Sequence, residues 1–227
     1  SGSYALYKNT SGNSNTASGN LALSLNTTGD YNTASGKSAL YKNTTGKQNT
    51  PIGYYALFDN YSGSYNTVVG SYALYKNTTG NYTTVTGYKA LYNNTSGYGN
   101  VAFGAEVLYN NTSGGYNTAI GGSSLYDNTT GNSNTAVGSS ALGNNTVGYS
   151  NSALGRNSLY NNTTGDNNTA VGESTLYSST TGGSNTAVGD EALYNNTSGS
   201  KNTAIGPKAL YQSTTAYHLS LIHISEP

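Results

Sequence analysis

The sequence predicts an all-β chain, a β-solenoid (parallel β-helix or β-roll) with one 17-residue coil per repeat and about 13 coils. Three observations predict it. A 17-residue pattern runs through residues 1–211 without insertion or deletion. Each copy holds two short apolar pieces, A-L-Y and N-T-A-V, rich in strand-forming types and separated by Gly-bearing turns. Charged residues make up only 8 % of the chain, against roughly a quarter in ordinary soluble domains.

Leucine gives the period most directly: Leu6, Leu23, Leu40, Leu57, Leu74, Leu91, Leu108, Leu125, Leu142, Leu159, Leu176, Leu193 and Leu210 are each 17 apart. Two glycine columns, one from Gly12 and one from Gly19, keep the same step, and the unit reads G-x-x-A-L-Y-x-N-T-T-G-x-x-N-T-A-[V/I]. A disordered low-complexity chain has no use for such phase. A fixed phase means that each copy rests on the one before it. The glycines are expected to supply positive φ at the corners, and the turn asparagines to bond their own backbone. Equivalent strands then pair about 4.8 Å apart. A coil spanning two repeats is the alternative left open.

Alternation along a strand sets each Leu inward and its Ala and Tyr neighbours outward. The leucines are therefore the core ladder, joined by Ile52, Val69, Phe103, Ile120, Val137, Leu154, Val171, Val188 and Ile205. Ser18 and Ser35 occupy that second column in the first two copies, which are expected to be the softest. Tyr7, Tyr41, Tyr75, Tyr92, Tyr109, Tyr126, Tyr160, Tyr177, Tyr194 and Tyr211, with Phe58 among them, form an aromatic stripe. Three uses are open for it: a self-stacking ladder, a lateral contact between chains, or sugar stacking on the ring faces.

The column Asn15, Asn32, Asn49, Asn66, Asn117, Asn134, Asn168, Asn185 and Asn202 is read as an amide ladder or as turn-forming asparagine. Ten copies also place a glycosylation sequon in register, at Asn9, Asn26, Asn43, Asn60, Asn77, Asn94, Asn111, Asn128, Asn162 and Asn196. Exposed turns in a secreted chain accept glycans, so these are candidate sites, although N-T-T-G also simply suits a turn.

Residues for catalysis are sparse. The chain has no cysteine, its two histidines, His218 and His223, stand outside the repeats, and its acids share no single column. No Lys-Ser/Thr follows the glycine patterns as a phosphate loop requires, and no calcium-binding nonapeptide recurs. The expectation is a non-enzyme with no cofactor and no metal. Zero formal net charge removes the electrostatic drive toward nucleic acid, and no apolar run has the length of a membrane span. Ice binding is a minor alternative, because the threonine pairs are adjacent and the strand carries one Thr per coil where such faces present Thr at i and i+2. Residues 212–227 read as a non-repeat tail. Its close, HLSLIHISEP, resembles translated sequencing-adapter read-through at the end of a metagenomic contig. Both histidines are then expected to be foreign, and residues 1–211 to be a piece of a longer array.

The motif GxxALYxNTTGxxNTAVG, seen at Gly70–Gly87 and Gly121–Gly138, resembles repeats of bacterial and phage extracellular fibre proteins. These include tail-fibre-like surface proteins and, more distantly, the heads of trimeric autotransporter adhesins, whose repeat is shorter. Curli-type fibril subunits are also similar, though their regularly placed glutamines are missing here. The resemblance covers residues 1–211. It implies a structural fibre or fibril component at the cell or virion surface, self-associating as a fibre or homo-oligomer, with carbohydrate as a covalent or bound partner. The alternative it implies is an adhesin or tail-fibre shaft carrying a receptor- or sugar-binding tip.

Overall fold

The computed structural model describes residues 2–222. They hold thirteen three-residue strands, one per repeat, and no helix. The chain divides into two compact units, Ser1–Tyr116 and Asn117–Pro227. The first carries β1 (Thr16–Ser18), β2 (Thr33–Ser35), β3 (Thr50–Ile52), β4 (Thr67–Val69), β5 (Thr84–Thr86) and β6 (Val101–Phe103). The second carries β7 (Thr118–Ile120), β8 (Thr135–Val137), β9 (Ser152–Leu154), β10 (Thr169–Val171), β11 (Thr186–Val188), β12 (Thr203–Ile205) and β13 (Ser220–Ile222). Within each unit the strands pair parallel in chain order, each residue opposite its equivalent 17 positions away, as Thr67 with Thr84 and Ala170 with Ala187. One repeat is therefore one coil of a β-solenoid. β2 and β3 meet at a single pair, Ser35 with Ile52, because Pro51 brings no N–H to the ladder.

The A-L-Y piece is a turn, not a strand. The N–H of Ala22 donates to the Gly19 carbonyl at 3.2 Å, and that of Asn26 to the Leu23 carbonyl at 3.4 Å. Every leucine of the column has φ between 50° and 55°, the left-handed region. A left-handed residue reverses the local backbone twist, so adjacent side chains no longer alternate. Ala22 and Leu23, Ala39 and Leu40, Ala73 and Leu74 all point inward with no exposed surface. The expectation that the alanines face out is corrected by this turn. Holding Leu left-handed costs about 1–2 kcal/mol. Burying its side chain completely returns about 1.5–3 kcal/mol, so the conformation survives only while the coils above and below cover it. The eleven leucines from Leu23 to Leu193 are fully covered, whereas Leu6 and Leu210 are half-buried.

The strand parity is also the reverse of the sequence reading. Asn32 enters the interior, Thr33 leaves it, Ala34 returns to it and Ser35 leaves again. The middle residue of each strand from β1 to β12 is thus the core residue, as Ala34, Val68, Val85, Ala102, Ala136 and Ala170, whereas in β13 all three residues are exposed. Ile52, Val69, Phe103, Ile120, Leu154, Val188 and Ile205 are exposed, and Val137 and Val171 half-exposed. The interior is one leucine deep, which leaves space for Ala or Val opposite but not for a second large column. Ser18 and Ser35 therefore lie outside the core and give the first copies no special softness.

The two glycine columns do different work. Gly70, at φ 138°, needs its conformation, and a Cβ there would strike the carbonyl oxygen of Gly87 in the next coil. Gly97 is not left-handed. Its missing Cβ instead leaves room for the Asn94 amide and the Gly114 carbonyl. Beyond Tyr211 the letters of the repeat change but the coil continues to Ile222: β13 pairs with β12, and Asn202 Nδ2 donates to the carbonyl of Ala216, which stands where Gly would. His223 lies outside the described residues.

A left-handed leucine makes a specific demand. Leu91→Met keeps an unbranched Cβ and is expected to lower the urea midpoint slightly. Leu91→Ile places a branched Cβ at positive φ and is expected to lower it several times more, although Leu-to-Ile in an ordinary core costs less than about 1.5 kcal/mol. Equal losses in the two variants would contradict the turn conformation.

Candidate functional site

Two asparagine columns run through the interior. In the first, Asn49 Nδ2 donates to Asn32 Oδ1 at 3.1 Å and to the Gly63 carbonyl at 2.9 Å, while the Asn49 backbone N–H donates to the same Oδ1 at 3.0 Å. Asn168 and Asn185 repeat these bonds in the second unit. In the other column Asn43 Nδ2 donates to Asn26 Oδ1 at 2.7 Å and to the Gly46 carbonyl at 2.9 Å. Asn60, Asn77 and Asn94 continue it at 2.8 Å each. In Asn43, Asn49, Asn60, Asn77 and Asn94 both amide hydrogens and the amide oxygen are used, which is how a buried amide avoids its desolvation cost.

This second column is the sequon column. Asn26, Asn43, Asn60, Asn77, Asn94, Asn111, Asn128, Asn162 and Asn196 have no exposed surface, and Asn9 is half-buried. A glycan needs Nδ2 outside, but Nδ2 here is bonded within the core. The candidate glycosylation sites are corrected accordingly: N-T-T-G is written for the interior, not for a sugar. The rest of that motif is explained by one acceptor. The Thr44 carbonyl receives the N–H groups of Thr27, Thr28 and Gly29 and, at 2.8 Å, the Thr27 hydroxyl. The second residue of the pair, such as Thr28, Thr45 or Thr79, stays exposed.

The aromatic stripe is half-buried and stacks on itself. Tyr41, Phe58, Tyr75, Tyr92 and Tyr109 lie at centroid separations of 5.1–5.3 Å with interplanar angles of 4–11°. Tyr160, Tyr177, Tyr194 and Tyr211 do the same at 5.1–5.5 Å. Within these runs each ring face is covered by the next ring, so internal faces are closed to sugar. Tyr126 is half-buried, and Tyr7 is exposed. Gly143 stands where a ring would, and the Tyr160 ring lies over it, 2.8 Å from where a Cβ would sit. Burial pushes the Tyr75 phenol above its ordinary pKa, and the Asp59 carboxylate nearby adds to the shift. A second aromatic group, Tyr54, Tyr55 and Tyr72, flanks the ladder; Tyr55 packs on Phe58 at 4.9 Å.

Charges pair across one coil. Lys42 bonds Asp59 and Lys47 bonds Asp30, each at 2.7 Å; Arg156 pairs with Glu173, and Lys208 with Glu191 at 3.4 Å. The Lys47 ammonium, with the Asn13 backbone N–H, holds the Asp30 carboxyl below its usual range. The 17-residue spacing of these pairs was readable in the sequence. Among the described residues no three His, Cys, Asp or Glu side chains gather as a metal would require, and no helix is long and apolar enough to cross a membrane. Compared with family models, with curated proteins and with solved structures, the chain gives no match.

The remaining feature is the outer side of the strands. Thr67 and Val69, or Thr186 and Val188, share that side at i and i+2 and repeat in every coil. The sequence reading had set one of these two columns inside, so the surface they make together was not visible to it.

Ser179 interrupts the sequon ladder. Asn162 Oδ1 and Ser179 Oγ are buried there without a partner in the structure. Ser179→Asn supplies one donor to Asn162 Oδ1 and one acceptor to Asn196 Nδ2, whose counterparts elsewhere are bonded at 2.7–2.8 Å. Restoring those bonds is expected to stabilise the second unit by about 1–3 kcal/mol in urea unfolding. A neutral or destabilising result would contradict the ladder.

Proposed function

We propose that this chain is a structural, non-enzymatic element of an extracellular or virion-surface fibre, a scaffold that lengthens by adding coils. One observation carries the reading: in most coils leucine, two asparagines, threonine and an aromatic ring bond or stack on their equivalents 17 residues away, with the ring missing at Ser24 and Gly143 and an asparagine at Thr83 and Ser179. Such side chains serve propagation along the axis, and a coil so built can be repeated without limit. The resemblance of the motif to fibre repeats supports the same reading, as does the low charge, which leaves little repulsion between neighbouring chains.

A second reading has an observation of its own. Sixteen of the 23 tyrosines lie in residues 1–116, and Tyr31, Tyr61, Tyr65, Tyr82, Tyr88 and Tyr116 there are exposed rather than enclosed in the ladder. Exposed rings on a rigid scaffold suit carbohydrate, as an adhesin or tail-fibre shaft would use them.

Electron microscopy of the purified chain separates the two. The fibre reading expects filaments with an axial repeat of about 4.8 Å. Discrete particles that bind immobilised polysaccharide, and lose that binding in Tyr31→Ala, Tyr65→Ala and Tyr82→Ala, would replace it with the second.

A further inference from the structure

We infer that the outer strand face is the surface through which two copies of this chain associate side by side. The inference rests on the fibre reading and deepens it, moving the lateral contact from the tyrosine stripe to the strands. Three features of the face point to a second copy.

The first is apolar exposure that the single chain does not relieve. Ile52, Val69, Phe103, Ile120 and Leu154 each keep 38–46 % of their surface although they stand in line with like neighbours along the sheet. Scattered exposed aliphatics are ordinary in soluble proteins, but a column of them repeated in coil after coil is a contact surface.

The second is charge. No charged residue occupies either outward strand position: one column reads Thr, Val or Ser throughout, and the other Ser, Thr, Val, Ile, Leu or Phe. Charges begin at the next column, after the glycine, with Lys37, Arg156, Glu173 and Asp190. A neutral strip bordered by charges of both signs does not select a polyanion or a polycation. It matches a neutral surface with a similar rim, which a second copy provides.

The third is periodicity. The face repeats each strand spacing, about 4.8 Å, and only a partner with that repeat meets every Thr and every aliphatic in an equivalent setting. Two such sheets pack about 10 Å apart, with the branched side chains of one seated between those of the other. Taken by themselves, the seven strands of the second unit present fourteen outward residues and the six of the first twelve. A standard stable interface uses about 20–30 residues a side, so a face of this size fits an association that is weak and rises with concentration.

Sedimentation velocity on the full chain tests this. The wild type is expected to sediment as a dimer or larger, with a mass that rises with concentration. A triple variant, Val69→Lys, Val137→Lys and Val188→Lys, is expected to associate at least about tenfold more weakly. These side chains leave the core untouched, so circular dichroism and melting should follow the wild type, and Thr79→Lys on another side of the coil should associate normally. A wild type that stays monomeric at its highest soluble concentration overturns the inference, as does a triple variant that associates like the wild type. A monomeric wild type that facets seeded ice crystals also overturns it and assigns the face to ice. Microscopy keeps the fibre reading separate: filaments that persist in the triple variant leave that reading standing and remove only the lateral face.

Discussion

An asparagine amide bonded to the amide of the asparagine one coil away sets the terms for the rest of this molecule. The bond requires both partners at the same point of consecutive coils, separated by one strand spacing. Any insertion would offset every later amide, and a buried amide without partners costs about 1–3 kcal/mol. Two such columns run side by side with the leucines, so the phase of the repeat is held by polar groups as much as by apolar ones. This explains a core that would otherwise look inadequate. Leu is the largest apolar residue of each coil's core, and the space around it is filled by Ala or Val, Gly and the amides. Glycine is needed beside the amides because a Cβ at Gly97 would occupy the place of the Asn94 oxygen.

The same tight interior forces the unusual backbone. To bring Ala, Leu and Asn inward within five residues, the chain turns at a left-handed leucine and again at the residue two before it, such as Tyr55, Tyr72 or Lys89. These non-glycine corners are strained, and the strain is tolerated because neighbouring coils fix the backbone through paired hydrogen bonds, as from Leu40 to Ala56 and from Lys42 to Phe58. Stability here belongs to the stack rather than to any coil.

The period, the all-β class, one coil per repeat and the leucine column were legible in the sequence, since each follows from spacing alone. What failed was direction. A-L-Y was read with strand alternation, but a Leu at φ near 52° obeys no such rule, and left-handed leucine is too rare to be expected from its letter. T-A-V is three residues long, so its parity rests on which neighbour enters the core first, and Asn32 does so because its amide bonds there. The sequon reading failed for a related reason: an exposed turn and an inward-facing amide can share the letters N-T-T. By contrast the amide ladder from Asn15 was readable, because a polar residue recurring at a fixed step in a stacked fold has its own equivalent as nearest partner. The outer strand face was hidden because the column from Ile52 to Ile205 was read as facing inward, which separated it from the threonines two residues before.

Side-chain amide hydrogen exchange, followed by NMR on chain labelled with 15N-asparagine, tests the ladders most directly. Asn43, Asn60, Asn77 and Asn94, together with Asn49 and Asn66, should exchange as slowly as the backbone amides of the strands, while the exposed Asn13 and Asn20 exchange at the rate of free asparagine. If the buried set exchanges as fast as Asn13 and Asn20, the amides are not bonded from coil to coil, and the phase of the repeat must be held by something else.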